Sequence, residues 1–242
     1  MTAKSSIIAK LEKEILPLQG FTKSTANAAL DINLGPMRKA FPLAQFPTGV
    51  MHEFMFANVE AAAATGGFVS VILASLLRNA GACVWISNKK NIFPPALKAF
   101  GVLPHQVIFI QASKEKDIAW IVEESLKCEG LRAVVADISE LSFTASRRLQ
   151  LAVEKSKVTG FILRQNPTTV STTACVTRWK ITSLPTQPFN NMPGIGFPKW
   201  NVELLKVRNG HPGVWQVECV AGRFRHFSIT AQVEKTAHKK VG

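Results

Sequence analysis

Residues 131–164 read LRAVVADISELSFTASRRLQLAVEKSKVTGFILR, and this stretch decides the fold. Its two ends, residues 131–137 and 160–164, are short apolar runs of the kind that form strands buried on both faces of a sheet. Between them, residues 144–155 predict a helix. A strand, a helix and a second strand in this order predict a βαβ crossover between two parallel strands.

The same alternation continues towards both ends of the chain. Upstream, strands are predicted at residues 50–56, 82–87 and 107–110, and helices at residues 61–79, 96–100 and 117–127. Downstream, three more strands are predicted at residues 174–181, 200–207 and 214–220, the last two joined by a turn at Asn209 and Gly210. The sequence therefore predicts an α/β fold with a doubly wound, mostly parallel sheet flanked by helices and antiparallel strands at its C-terminal side.

Four segments organise the chain. Residues 1–19 predict an amphipathic N-terminal helix, because apolar side chains recur at spacings of three and four residues. These side chains are Ile7, Ile8, Leu11 and Ile15. Residues 20–48 hold three prolines and two glycines and predict a connector on the surface. Residues 49–220 form the predicted core, and residues 221–242 a basic, flexible tail.

Composition limits the kinds of protein that this chain can be. Its 242 residues are 47% hydrophobic and 19% charged, which predicts one globular domain rather than a disordered chain. The net charge is +13, and residues 160–242 alone carry eleven Lys and Arg against three Asp and Glu, so an acidic partner such as nucleic acid is favoured. The four cysteines form no metal-binding or disulfide pattern. Charges interrupt the apolar residues of MTAKSSIIAKLEKEIL (1–16), so it does not resemble a secretory signal and a cytoplasmic location is expected. The uncharged run at residues 61–77 is expected to be a core helix and not a membrane span.

The turn after the strand at residues 50–56 is the expected place for a ligand, because crevices in doubly wound sheets lie at the carboxyl ends of strands. A working phosphate loop reads GxxxxGK[ST], and here only Thr65, Gly66 and Gly67 are reminiscent of it. The lysine is missing, and Glu60 would repel a phosphate. Two interpretations stay open: a tightly packed helix start, or weak nucleotide binding through helix N-terminal amides.

Asp137 ends an apolar strand, as a magnesium-binding aspartate does in ATPases, although any strand that leads into a turn can end in Asp. Basic side chains are predicted to form a surface that contacts phosphates or a partner protein beside the Ser/Thr-rich loop at residues 166–173, with plain solvated charge as the alternative. They are Arg147, Arg148, Arg164, Arg178 and Lys180. In the tail, Arg223 and Arg225 alternate with aromatic residues, which suits single strands or an acidic protein groove. No metal site and no cofactor are expected.

Several segments resemble a known family. The path of predicted elements is similar to that of RecA, and the chain resembles the RecA-related ImuA family over most of its length. The segments that carry the resemblance are EILPLQGF (14–21), FPTGVMHEF (46–54), VWISNKKNIFPPALKAFGV (84–102), residues 123–164, TRWKI (177–181) and GFPKWNVELLKVRNGHPGVWQVE (196–218). The family's phosphate loop is degraded, so only Thr65, Gly66 and Asp137 have counterparts in the nucleotide site of RecA.

The resemblance implies a function in DNA-damage tolerance. It implies a non-catalytic adaptor in SOS-induced translesion synthesis and mutagenesis, located in the cytoplasm at the nucleoid. The implied partners are an ImuB-type polymerase-like protein, an error-prone C-family DNA polymerase and RecA, with DNA as a further ligand. As in RecA, the N-terminal helix would dock on a neighbouring protein or a second copy, or else on its own core. Two alternatives stay open: a divergent nucleotide-binding ATPase and a RecA-like SOS inhibitor of cell division.

Overall fold

The computed structural model describes residues 34–78, 81–88, 93–167, 171–186 and 195–227, together with Leu11, Ile32 and Pro188. Leu11 is half exposed. The rest of the predicted N-terminal helix, including Ile7, Ile8 and Ile15, lies outside the described residues, and so do residues 228–242 of the predicted tail.

Within these residues, nine strands form one sheet. They are β1 (Met51–Phe56), β2 (Ala82–Ser87), β3 (Val107–Gln111), β4 (Leu131–Asp137), β5 (Thr159–Gln165), β6 (Thr177–Leu184), β7 (Lys199–Val207), β8 (Gly213–Val220) and β9 (Arg223–His226). Their order across the sheet is β3-β2-β4-β5-β1-β6-β7-β8-β9. The first six in this order are parallel, and β7, β8 and β9 extend the sheet in antiparallel pairs. The predicted fold class is confirmed.

In the described core, three α-helices cover the parallel strands. They are α1 (Val59–Leu76), α2 (Glu115–Lys127) and α3 (Phe143–Ser156). The cluster of buried side chains around α1 fills one face of the sheet, and a second cluster under α2 and α3 fills the other. Four short segments are 3-10 helices: Gly35–Ala40, Pro42–Ala44, Pro94–Phe100 and Pro104–Gln106. One of them replaces the helix predicted at residues 96–100.

Helix α1 is long and apolar enough to cross a membrane by length and composition, but 61% of it is buried inside the protein. Its Phe68 packs among aromatic rings of three strands. The ring centroids of Trp179 and Phe224 lie 5.7 and 4.8 Å from that of Phe68, and Trp200 makes an edge contact at 6.2 Å. The expectation of a core helix is therefore confirmed.

The prediction of a surface connector at residues 20–48 is wrong for its described C-terminal part. Leu34, Met37, Phe41 and Phe46 are buried in the cluster around α1, and the ring of Phe41 lies 5.9 Å from that of Trp179. Prolines and glycines interrupt any regular hydrophobic period here, so the sequence pattern resembled a loop. The 3-10 helices nevertheless point enough apolar side chains inwards to cover this part of the sheet.

The prediction of a flexible tail from residue 221 is wrong for Arg223–His226, which form the edge strand β9. Phe224 is buried against α1, while Arg223 and Arg225 are exposed. His226 Nε2 donates a hydrogen bond to the carbonyl oxygen of Leu34 at 2.8 Å, which fastens the strand to the N-terminal segment. Polar and apolar residues alternate over Arg223–His226, which is the period of a strand. The overall polarity of residues 221–242 hides this short period and predicts a flexible tail.

We expect Phe224→Ala to lower the free energy of unfolding by about 3–5 kcal/mol, because it removes a buried ring and leaves a cavity beside α1. Urea denaturation measures this change. Phe143→Ala is the matched control, since the ring of Phe143 is 55% exposed and its loss should have little effect. Equal stability of Phe224→Ala and the unmodified protein would mean that β9 does not belong to the folded core.

Candidate functional site

The turn from β1 to α1 is where a phosphate loop would lie. Only Ala57 and Asn58 separate the strand from the helix. Asn58 caps the helix, because its side-chain oxygen accepts a hydrogen bond from the backbone N–H of Ala61 at 2.8 Å. The chain therefore passes from strand to helix without the glycine-rich loop that cradles phosphates. The helix predicted from residue 61 begins two residues earlier, at Val59.

Thr65 and Gly66, the residues matched to the phosphate loop, lie inside α1. Thr65 is fully buried, and its hydroxyl donates to the carbonyl oxygen of Ala61 at 2.7 Å. Gly67 serves close packing, because an added Cβ would lie 2.9 Å from the Trp200 ring and 3.0 Å from that of Phe100. The geometry favours a tightly packed helix start over a remnant of a nucleotide site.

Asp137 ends β4 at the carboxyl edge of the sheet, as the sequence predicts. Its side chain faces α1, because residues alternate along the strand and Val135 belongs to the cluster around α1. Burial raises the pKa of its carboxyl group to about 6. Within the described part of the chain, no group of three or more metal-ligating side chains includes it.

A buried carboxylate that the sequence analysis did not single out lies in the middle of β1. Glu53 is fully buried and binds three side chains. Arg164 Nη1 lies 2.5 Å from its Oε1, and Arg178 Nε lies 2.8 Å from its Oε2. The hydroxyl of Thr173 also donates to Oε2, at 2.9 Å. Glu53, Arg164, Arg178 and Thr173 are called the Glu53 cluster below.

The Glu53 cluster fastens two loops to the sheet. Arg164 Nε donates to the carbonyl oxygen of Ser139 at 3.2 Å, in the loop after β4. Arg178 donates to the carbonyl oxygen of Ser171 at 2.7 Å, in the loop before β6. Since Arg164 is fully buried, the prediction that it contacts phosphates or a partner is wrong. The signal for this cluster was present in the sequence, because a single charge inside the apolar strand MHEFMF requires buried partners.

The other predicted basic residues fall on two separate surfaces. Arg147 and Arg148 lie on α3 and pair with Glu154 and Glu123. The remaining residues lie on strands β6 and β9, on the side of the sheet opposite α1, and they are Arg178, Lys180, Arg223 and Arg225. The structure does not bring all of these residues into one surface.

We expect Glu53→Gln to cost about 3–5 kcal/mol of unfolding free energy, because the change removes the buried counter-charge of Arg164 and leaves only the half-exposed carboxylate of Glu140, 3.6 Å away. Chemical denaturation measures the loss. Glu154→Gln is the control: its partner Arg147 lies 3.8 Å away on the surface, and such pairs contribute about 1 kcal/mol or less. If both variants lost the same small amount, the Glu53 cluster would not hold the sheet together.

Asp137→Asn should stabilise the protein at pH 7, and the gain should disappear as the pH falls. The raised pKa means that the folded state binds the Asp137 proton more tightly than the unfolded state, whose pKa is near the ordinary 3.8. Above pH 6 the charged carboxylate therefore lowers the free energy of unfolding by its full amount, up to about 3 kcal/mol. This loss disappears as the pH falls towards 4 and the group is protonated.

Urea unfolding of both proteins between pH 7 and pH 4 measures this difference, and Asp117→Asn, in the exposed first turn of α2, is the control. A variant that is less stable than the unmodified protein at pH 7 would mean that a positive group stabilises the Asp137 carboxylate.

Comparisons with known proteins agree with this structure. The chain is 33% identical over 207 residues to Protein ImuA of two Caulobacter vibrioides strains, in alignments that cover 80% of this chain and 85% of the relative. It is also similar to the crystal structure of the RadB recombinase, with a TM-score of 0.52 over 76% of this chain and 93% of that one, at 13% identity. No family model matches.

The likeness to RadB shows a RecA-like fold and nothing further, because so low an identity carries no residue-level correspondence. The identity to the two curated relatives extends over most of both sequences and confirms the resemblance found in the sequence. The chain belongs to the ImuA family.

Proposed function

We propose that this protein is a non-catalytic RecA-like adaptor in SOS-induced translesion DNA synthesis. It links an ImuB-type polymerase-like protein and an error-prone C-family DNA polymerase to RecA and DNA during damage-induced mutagenesis. The proposal rests on membership of the ImuA family and on one structural observation, the two-residue turn between β1 and α1.

This turn is unfavourable for a nucleotide in three ways. It lacks the glycine-rich backbone and the lysine that hold and neutralise phosphates. The backbone N–H of Ala61, in the first turn of α1, already donates a hydrogen bond to the Asn58 side chain. Glu60 adds a negative charge in the first turn of α1, where a helix would otherwise attract an anion. These features support the absence of phosphoryl transfer.

A divergent nucleotide-binding ATPase is the second candidate, and the position of Asp137 favours it. Magnesium in such enzymes is held by an aspartate of this kind together with a hydroxyl from the phosphate loop. The hydroxyl of Thr65 is buried and bonded within α1, so it is not available to a metal ion. The adaptor is therefore the better supported function.

An adaptor needs surfaces for proteins, and the structure exposes large apolar side chains that suit such contacts. Trp120 on the outer side of α2 is 66% exposed, and Ile108 on the edge strand β3 is 52% exposed. The predicted N-terminal helix, with its apolar face of Ile7, Ile8, Leu11 and Ile15, is a further docking element for RecA, the ImuB-type protein or a second copy.

The absence of catalysis is tested with purified full-length protein. Phosphate release is measured with ATP and magnesium, with and without RecA and single-stranded DNA. We expect Asp137→Ala and the unmodified protein to release the same amount of phosphate. Calorimetric titration with ATP should give no binding heat. Turnover that Asp137→Ala abolishes would establish the ATPase and exclude the non-catalytic adaptor.

The adaptor role itself is tested by pull-down and by genetics. The full-length chain should retain the ImuB-type protein on a column, and deletion of its gene should lower damage-induced mutation frequency. If no complex forms and mutagenesis is unchanged, the adaptor proposal is wrong.

A further inference from the structure

The antiparallel part of the sheet has one face that no described element covers. Side chains of β6–β9 that point towards α1 are buried, among them Trp179, Trp200 and Phe224. The side chains that alternate with them, from Arg178 on β6 to Arg225 on β9, form the opposite face, called the open face below. None of its residues is buried. Among the described residues no helix packs on this face, and Lys180, Arg223 and Arg225 are exposed on it.

The open face is basic. It carries six cationic side chains, which are Arg178, Lys180, Lys199, Lys206, Arg223 and Arg225. Arg178 pairs with the buried carboxylate of Glu53 and is not available to a ligand. The open face itself also carries the carboxylates of Glu203 and Glu218. Each carboxylate lies beside a lysine of the neighbouring strand: Glu203 is 3.4 Å from Lys180, and Glu218 is 3.9 Å from Lys199. The arginines of β9 therefore add positive charge that these carboxylates do not balance.

The register places these cations along a diagonal across the four strands. Lys180 lies opposite Glu203 on β7, whereas Lys199 lies four positions further along, opposite Leu184. Across β8, Glu218 pairs with Arg225, and Val220 pairs with Arg223. With strands about 4.8 Å apart and about 3.3 Å per residue, the distance from Lys180 to Arg223 is about 25 Å. A track of this length matches an extended, repeating anion better than a single small one.

We propose that the open face binds the sugar-phosphate backbone of single-stranded DNA along this diagonal. Sheet surfaces that bind single strands combine phosphate-contacting cations with an aromatic ring on which a base stacks. Phe227 supplies the ring, since Lys199 Nζ lies 5.1 Å from its centroid.

The inference deepens the proposed function, on which it rests for the choice of DNA as the polyanion. It also gives Lys180 of β6 and the arginines of β9 a common role. Arg178 and Lys206 lie at one end of the open face, where they already donate to the loop before β6: Arg178 to the carbonyl oxygen of Ser171, and Lys206 to that of Thr173 at 2.8 Å. The track for DNA therefore begins at Lys180.

Fluorescence anisotropy with a labelled oligothymidylate of about 20 nucleotides tests the inference on the purified full-length chain, without ATP or partner proteins. We expect the logarithm of the association constant to fall linearly with the logarithm of the salt concentration, with a slope of about −0.7 for each phosphate contact. The double variant Arg223→Glu/Arg225→Glu should bind at least about tenfold more weakly and have a shallower salt slope. Phe227→Ala should weaken binding several-fold without changing the slope.

The matched control is Lys116→Glu/Lys155→Glu, which changes the net charge equally at exposed positions on α2 and α3. It should bind as the unmodified protein does, and urea denaturation checks that all variants are folded. No DNA binding by the unmodified protein, or equal losses in the two double variants, would overturn the inference. So would equally tight binding of polyglutamate, lost in the same β9 variant, since the open face would then serve an acidic protein.

These results are independent of the adaptor tests. If the protein binds the oligonucleotide but does not retain the ImuB-type protein, the open-face inference stands and the adaptor proposal is wrong. If it retains the ImuB-type protein but binds no DNA, the adaptor proposal stands and the open-face inference is wrong.

Discussion

The carboxylate of Glu53 lies at the centre of the sheet, and much of the architecture around it depends on how its charge is compensated. A buried carboxylate is costly unless it is paired and hydrogen-bonded. Here Arg164 from β5 and Arg178 from β6 bind its two oxygens, so the strands on both sides of β1 supply the compensation. The same arginines hold the loops after β4 and before β6. One ionic cluster thus joins three strands and two loops.

The cluster also explains why basic residues near the carboxyl edge of the sheet cannot be counted as a ligand-binding surface. In a crevice that holds a nucleotide, arginines at this edge would be available to phosphates. In this protein one of them is completely buried and the other is held on two sides. Because these two arginines are held in this way and the β1–α1 turn is direct, the positive charge that is available to a ligand lies on β6–β9 and not in the usual crevice.

Aromatic packing fixes the position of α1 on the sheet. Phe68 is surrounded by rings from β6, β7 and β9, and Gly67 allows Trp200 to approach the helix backbone closely. The antiparallel extension therefore does more than close the sheet, because its aromatic residues hold the helix that follows the β1–α1 turn.

The sequence by itself determined the alternation of strands and helices, the parallel core and the antiparallel extension, because hydrophobic period is a local property of the chain. It also located Asp137 at the end of β4 and the missing lysine. The start of α1 could have been found from Asn58, a good helix cap ahead of Val59, Glu60 and four alanines. Tertiary structure alone decided that Leu34 and Met37 are buried, that Phe224 packs against Phe68 of α1, and that Arg164 is an internal partner of Glu53. Glu53 and Arg164 are 111 residues apart in the chain, and their pairing depends on β1 and β5 being neighbours in the sheet. A local pattern can show that Glu53 needs buried partners, but which side chains compensate it is decided between strands that are distant in sequence.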